Sequence, residues 1–103
     1  MSQIENVSVA TKGNVFFDGK CVSHSVFFPD GSRKTVGVIL PSTLTFNVST
    51  PELMEITSGT CRVKIGDEPE FKTYKPGDKF SVDANSRFVI EASEVVNYIC
   101  SFG

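Results

Sequence analysis

The 103-residue sequence has no tryptophan, one histidine (His24) and three cysteines, Cys21, Cys61 and Cys100. An odd cysteine count with no C-x-x-C spacing supports neither a disulfide frame nor a zinc knuckle. Buried thiols in strands are the expectation instead. A nucleophilic cysteine would need a base, and His24 is the single imidazole present. No apolar run approaches the ~20 residues of a membrane helix. The opening "MSQIENVSVATKGN" has an early acid and no long apolar stretch, so it does not read as a signal peptide, and a cytoplasmic protein is expected. Neither charge sign dominates. The net charge of -2 and the lack of a basic patch argue against nucleic-acid and anionic-membrane partners. There is no G-x-S-x-G, P-loop, Rossmann glycine cluster or H-E-x-x-H.

What is present is alternation with a period of two. Val22, His24, Val26 and Phe28 share one face, Phe46 and Val48 another. The same holds for Cys61–Val63–Ile65, Phe80–Val82, Phe88–Ile90 and Val96–Tyr98–Cys100–Phe102. Turn chemistry separates these runs: "PDGS", "LPS", "TPE", "SG", "KPGD" and "DANS". Short strands at such spacing predict an all-β barrel or sandwich. Nine phenylalanines suit an aromatic-filled interior, and short strands need closure or stacking to protect their edges. A single domain over residues 1–103 is expected, with residues 1–14 read as an irregular N-terminal segment.

"TFNVSTPELMEITSG" carries Glu52, then six residues, then Gly59. The spacing is similar to the first motif of cupin barrels, in which two histidines precede the glutamate. Here those two positions hold Phe46 and Val48. "YKPGDKFSVDANSRF" keeps the outline of the second cupin motif, with Asp83 where a proline is common and Phe88 where its histidine would stand. Phe and Val have no lone pair for a metal, and one glutamate is too few ligands. The expectation is a single-domain cupin-like β-barrel of jelly-roll type, without the metal-binding histidines and without a bound transition metal.

The motif points Glu52 inward, as the carboxylate of a structural ion pair or as an acid that grips sugar hydroxyls. Glu55, three residues on, faces the other way. Arg33 is either an exposed strand end or a fork for phosphate. Lys20, after a tight glycine turn, reaches either solvent or a ligand. Ser86 sits in a turn whose amides could cradle an anion. Tyr98 alternates with core residues and either closes an internal hydrogen bond or contacts a base or ribose.

Taken together, "FFDGKCVS", "RKTVGVILP", "TFNVSTPELMEITSG", "YKPGDKFSVDANSRFVI" and "VNYICSF" resemble the small cupin-type pyrimidine/purine nucleoside phosphorylases, from about Phe17 to the end. The resemblance implies a cytoplasmic homodimeric enzyme of the pentosyltransferase class. It would cleave many purine and pyrimidine nucleosides with inorganic phosphate, giving free base and (deoxy)ribose 1-phosphate, with no metal or organic cofactor. In that reading Glu52 and Arg33 are catalytic: Glu52 meets the ribose hydroxyls and the developing cation, and Arg33 positions phosphate with the amides around Ser86. Phe46 and Tyr98 offer stacking surface, and Lys20 is a further substrate contact. The alternatives are a non-enzymatic nucleoside- or sugar-binding barrel and a sugar-phosphate isomerase or epimerase.

Overall fold

The computed structural model describes residues 3–102. Eleven strands follow in chain order: β1 (Ser8–Val9), β2 (Asn14–Phe16), β3 (Cys21–Phe27), β4 (Arg33–Ile39), β5 (Ser42–Val48), β6 (Glu52–Ser58), β7 (Cys61–Ile65), β8 (Lys72–Tyr74), β9 (Lys79–Val82), β10 (Ser86–Ala92) and β11 (Val96–Phe102). All ladders are antiparallel. They form a seven-stranded sheet in the order β1-β3-β4-β11-β6-β9, with β2 also on β3, and a four-stranded sheet β5-β10-β7-β8. The all-β expectation holds. A single closed barrel does not form, since among the described residues no ladder joins the two sheets. Stacking protects them instead, and the outer strands β8 and β9 are short and carry Lys72 and Lys79, which discourages pairing with another chain.

The core lies between the sheets. Ile39, Ile56, Val96, Val63, Ile90 and Phe88 are almost fully buried, each contributing about 1.5–3 kcal/mol by removal from water. All three cysteines are free and buried. Alternation decides which residues reach this interior. On β6, Met54 and Ile56 are buried while Leu53 is exposed. On β4, Thr35, Gly37 and Ile39 are buried between more open neighbours.

Two glycines set the geometry near the site. A Cβ on Gly37 would fall against the ring of its cross-strand partner Tyr98, so only glycine leaves the ring room there. Gly59, the motif glycine, has φ +81°, and a Cβ would strike the carbonyl of Val95. The Glu52-x6-Gly59 spacing thus marks a strand of fixed length that ends where no side chain is tolerated.

The segment expected to be irregular, residues 1–14, contains β1, and β2 begins at its last residue; both run along the free edge of β3, β1 opposite Phe27 and Val26, β2 opposite Ser23 to Cys21. His24 Nδ1 lies 3.0 Å from the Ala10 carbonyl and ties this segment down. A three-residue strand, β8 (Lys72–Tyr74), also forms at the end of "EPEFKTY", where the alternation is too short to be read.

Candidate functional site

Between the sheets, at the end where β6 begins, opens a cavity of about 380 Å³. Its floor belongs to the seven-stranded sheet, and the ladders fix its rows. Glu52 pairs with Phe102 on β11. On the other side of β11, one step beyond the Ser101–Lys34 pair, the Arg33 guanidinium stacks over the Phe102 ring at 4.4 Å. Arg33 and Glu52 are therefore two strands apart, roughly 10 Å along the hydrogen-bonding direction. In the next row Cys100 stands between Thr35 and Met54, and in the next Tyr98 stands between Gly37 and Ile56.

Both charges line the cavity, and neither takes part in an ion pair among the described residues. Glu52 Oε1 accepts the Cys100 thiol proton at 3.4 Å. Burial raises the Glu52 carboxyl above the ordinary glutamate value, and the thiol hydrogen bond only partly offsets this. Burial, followed by the neighbouring Glu52 charge, pushes the Cys100 thiol up to about 12, so it remains a proton donor at neutral pH. Arg33 Nη1 donates to Ser25 Oγ at 3.3 Å, which leaves most of its five N–H donors free.

Polar side chains continue the floor beside Arg33. Ser23 and Ser25 on β3, Thr35 on β4 and Asn14 on β2 all line the cavity, with Asn14 Nδ2 donating to Ser23 Oγ at 3.5 Å. On β3 the small polar face points in. Val22, His24 and Val26, the apolar-looking face, point outward, where Val26 is covered by the N-terminal segment. Tyr98 is buried, its hydroxyl lies 3.5 Å from Cys21 Sγ, and burial keeps that hydroxyl protonated.

The roof is aromatic. Phe46 on β5 stacks on its cross-strand partner Phe88 at 5.0 Å, and Phe80 meets Phe88 edge-on at 5.4 Å. Phe17 and Phe46 meet in a T-shaped arrangement with ring centroids 5.1 Å apart. Phe17 and Asp18 both take φ +54° in the turn Phe17–Gly19 after β2. Left-handed backbone is tolerable for Asp but strained for a bulky aromatic, at a cost of roughly 1–3 kcal/mol. Of the three residues that stand where the cupin motifs place histidines, Val48 and Phe88 are core and Phe46 is half-buried against it. Among the described residues no three His, Cys, Asp or Glu side chains converge as a ligand set.

Of the residues singled out in the sequence, Glu52, Arg33, Phe46 and Tyr98 meet in this cavity. Ser86 and Lys20 do not line it. Ser86 begins β10 with its Oγ beside Gly66, at the turn after β7. Lys20 is exposed and contributes its backbone, its N–H donating to the Phe17 carbonyl at 3.1 Å and its carbonyl accepting from Leu40 at 2.8 Å. Phe16, Asn14, Ser23, Ser25 and Thr35 join the site without having been singled out. The readable signals were S-x-S in "CVSHS" and R-x-T in "RKT", each placing two polar residues on one strand face.

No helix among the described residues is long and apolar enough to cross a membrane. A profile described as pyrimidine/purine nucleoside phosphorylase matches residues 11–102. A protein of that name from Methylobacillus flagellatus is 57% identical over 102 residues, covering 99% of each chain. One from Dechloromonas aromatica is 58% identical over the full length of both. A crystal structure of a protein of unknown function from Acinetobacter sp. ADP1 superposes with a TM-score of 0.96 at 50% identity, covering 98% of each chain.

Proposed function

The chain belongs to the pyrimidine/purine nucleoside phosphorylase family, and from that premise we propose that it transfers the pentosyl group of purine and pyrimidine nucleosides to inorganic phosphate in the cavity between the sheets. A phosphate oxygen bonds to the anomeric carbon as the bond from that carbon to the base nitrogen breaks. The base leaves with the bonding pair, and the proton given up by hydrogen phosphate balances it. The products are free base and (deoxy)ribose 1-phosphate.

One observation carries this reading: a carboxylate and a guanidinium share a cavity floor about two strands apart, neither paired with the other. That arrangement suits a substrate pair with a polyol and developing positive charge at one end and a dianion at the other. Glu52 accepts from ribose hydroxyls and stabilises the oxocarbenium-like transition state. Arg33 supplies the fork for phosphate. Asn14, Ser23 and Ser25 lie beside it and add neutral donors, which gives phosphate a fuller set of partners than the Ser86 turn. The volume fits a nucleoside-sized ligand. Holding the two reactants together supplies much of the rate without an activated nucleophile.

The test is incubation with uridine and with adenosine, with and without phosphate, reading free base and ribose 1-phosphate. Base release that needs phosphate supports the reading. Binding of nucleoside with no turnover in either condition replaces it with a non-enzymatic nucleoside-binding protein. Arg33→Ala is expected to raise the KM for phosphate about 10- to 100-fold, the loss of a charge-assisted contact. An unchanged phosphate dependence removes Arg33 from that role.

A further inference from the structure

Of the four cavity-lining phenylalanines, Phe16 and Phe102 have no aromatic neighbour among the described residues, and the Arg33 guanidinium already stacks over Phe102 at 4.4 Å, which leaves Phe16 as the ring without a stacking partner. It ends β2 and is 47% exposed. The chain then turns through left-handed backbone at Phe17 and Asp18, which sets Phe17 in a T-shaped contact with Phe46. Phe46 in turn lies flat on Phe88. Exposing one large apolar ring and straining the backbone at the next both oppose folding. Together they leave an open aromatic face, Phe16, in the same cavity as a braced one, Phe46.

We propose that this turn is the base subsite: the heterocycle of the nucleoside stacks on Phe16, and Phe17 is a positioning residue that fixes the Phe46 ring. This rests on the nucleoside reading above and adds which end of the cavity takes the base and by what force. Stacking reads a π-face, which every base has, and ignores hydrogen-bonding edges. Such a subsite accepts purines and pyrimidines alike, and binds purines more tightly because two fused rings overlap more aromatic surface. The polar floor around Arg33 and Glu52 is left to phosphate and ribose.

The experiment compares wild type, Phe16→Ala, Phe16→Tyr, Phe17→Ala and Phe17→Tyr. Phe71→Ala serves as the control, since Phe71 lies under Arg62 and Lys64, away from the cavity. Phe16→Ala is expected to raise the KM for adenosine about tenfold and that for uridine less, with the KM for phosphate within about twofold of wild type. Phe16→Tyr restores the nucleoside KM. Phe17→Ala raises it by a smaller factor, and Phe17→Tyr recovers it. Phe71→Ala changes neither. Nucleoside KM values unchanged in Phe16→Ala, or nucleoside and phosphate KM raised equally, overturn the base subsite while leaving phosphorolysis intact. Calorimetric binding of adenosine and uridine reads the same residue independently of turnover. A wild type that binds nucleoside without cleaving it fails the reaction but not the subsite, whereas equal affinities in wild type and Phe16→Ala fail the subsite alone. A wild type that binds neither nucleoside overturns both.

Discussion

The seven-stranded sheet has a hollow on each face, and the two are close in size, about 380 Å³ inside and about 440 Å³ outside. They even share a residue, since Tyr98 borders both at the point where Gly37 leaves space for its ring. Their chemistry is unlike. The inner hollow gathers Arg33, Glu52, two serines, a threonine and an asparagine under an aromatic roof. The outer one lies between the sheet and the N-terminal segment; aliphatic side chains such as Val9, Val26 and Ile99 line it with the neutral polar Gln3, Thr57 and Asn97, and its single charge is Glu55, with no cation to match Arg33. Volume does not distinguish the two hollows. Strand alternation does: residues three apart on β6, Glu52 and Glu55, serve opposite faces of the same sheet, and a one-residue slip of register would exchange them.

The comparison breaks most visibly at those two glutamates. Glu52→Gln is expected to cut kcat/KM for nucleoside phosphorolysis by about 100-fold or more, the scale on which a group facing developing charge acts. Glu55→Gln should stay within about twofold. Steady-state assays of the pair under one set of conditions decide it. Activity of Glu52→Gln within a few-fold of wild type would remove that carboxylate from the mechanism.

A second substitution attacks the wall between the hollows. Gly37→Ala drives a methyl group into the Tyr98 ring, an overpacking expected to cost about 1–3 kcal/mol. At about 4–8 °C per kcal/mol for a domain of this size, thermal unfolding reads it directly. An unchanged Tm would mean that the ring can swing aside and that the wall is soft.

The smallest effect concerns pH. Burial raises the Glu52 carboxyl in the folded protein, so between its unfolded and folded pKa values the folded state holds more protons. Stability then falls as pH rises through that window. Glu52→Gln removes the penalty, and its Tm should exceed that of wild type at neutral pH by a few degrees or less. The gap should close below the ordinary glutamate value of about 4.3. A Tm for Glu52→Gln below that of wild type at neutral pH would show the carboxylate stabilising the fold instead. Higher stability with lost activity is the pattern of a site kept unsatisfied for its ligand.

Much of this architecture was readable from residue order. Phe88–Ile90, Phe80–Val82 and Val96–Tyr98–Cys100 alternate so regularly that their strands and inward faces follow directly. The Glu52-x6-Gly59 spacing located the acid that lines the cavity. β3 was harder. Its apolar-looking face, Val22–His24–Val26, suggests a core face, yet Ser23 and Ser25 point to the interior because that interior is a cavity and not packed hydrocarbon. The pairing of β1 and β2 along β3 was not legible, because two- and three-residue strands carry too few alternations to stand out. Ser86 and Lys20 had suitable chemistry and sit at turns, but a turn's sequence does not say which end of the molecule it occupies.

Residue order alone determined the all-β class, the inward faces of β5, β7, β9, β10 and β11 and the presence of Phe46, Val48 and Phe88 where histidines were expected. Those are properties of period and side-chain chemistry, local to each strand. Only the tertiary structure decided that the sheets stack without closing, that Arg33 reaches the floor that holds Glu52, and that Phe16 and Phe46 line one cavity. Each of these depends on cross-strand register and on pairing between segments far apart in the chain, which no local pattern records.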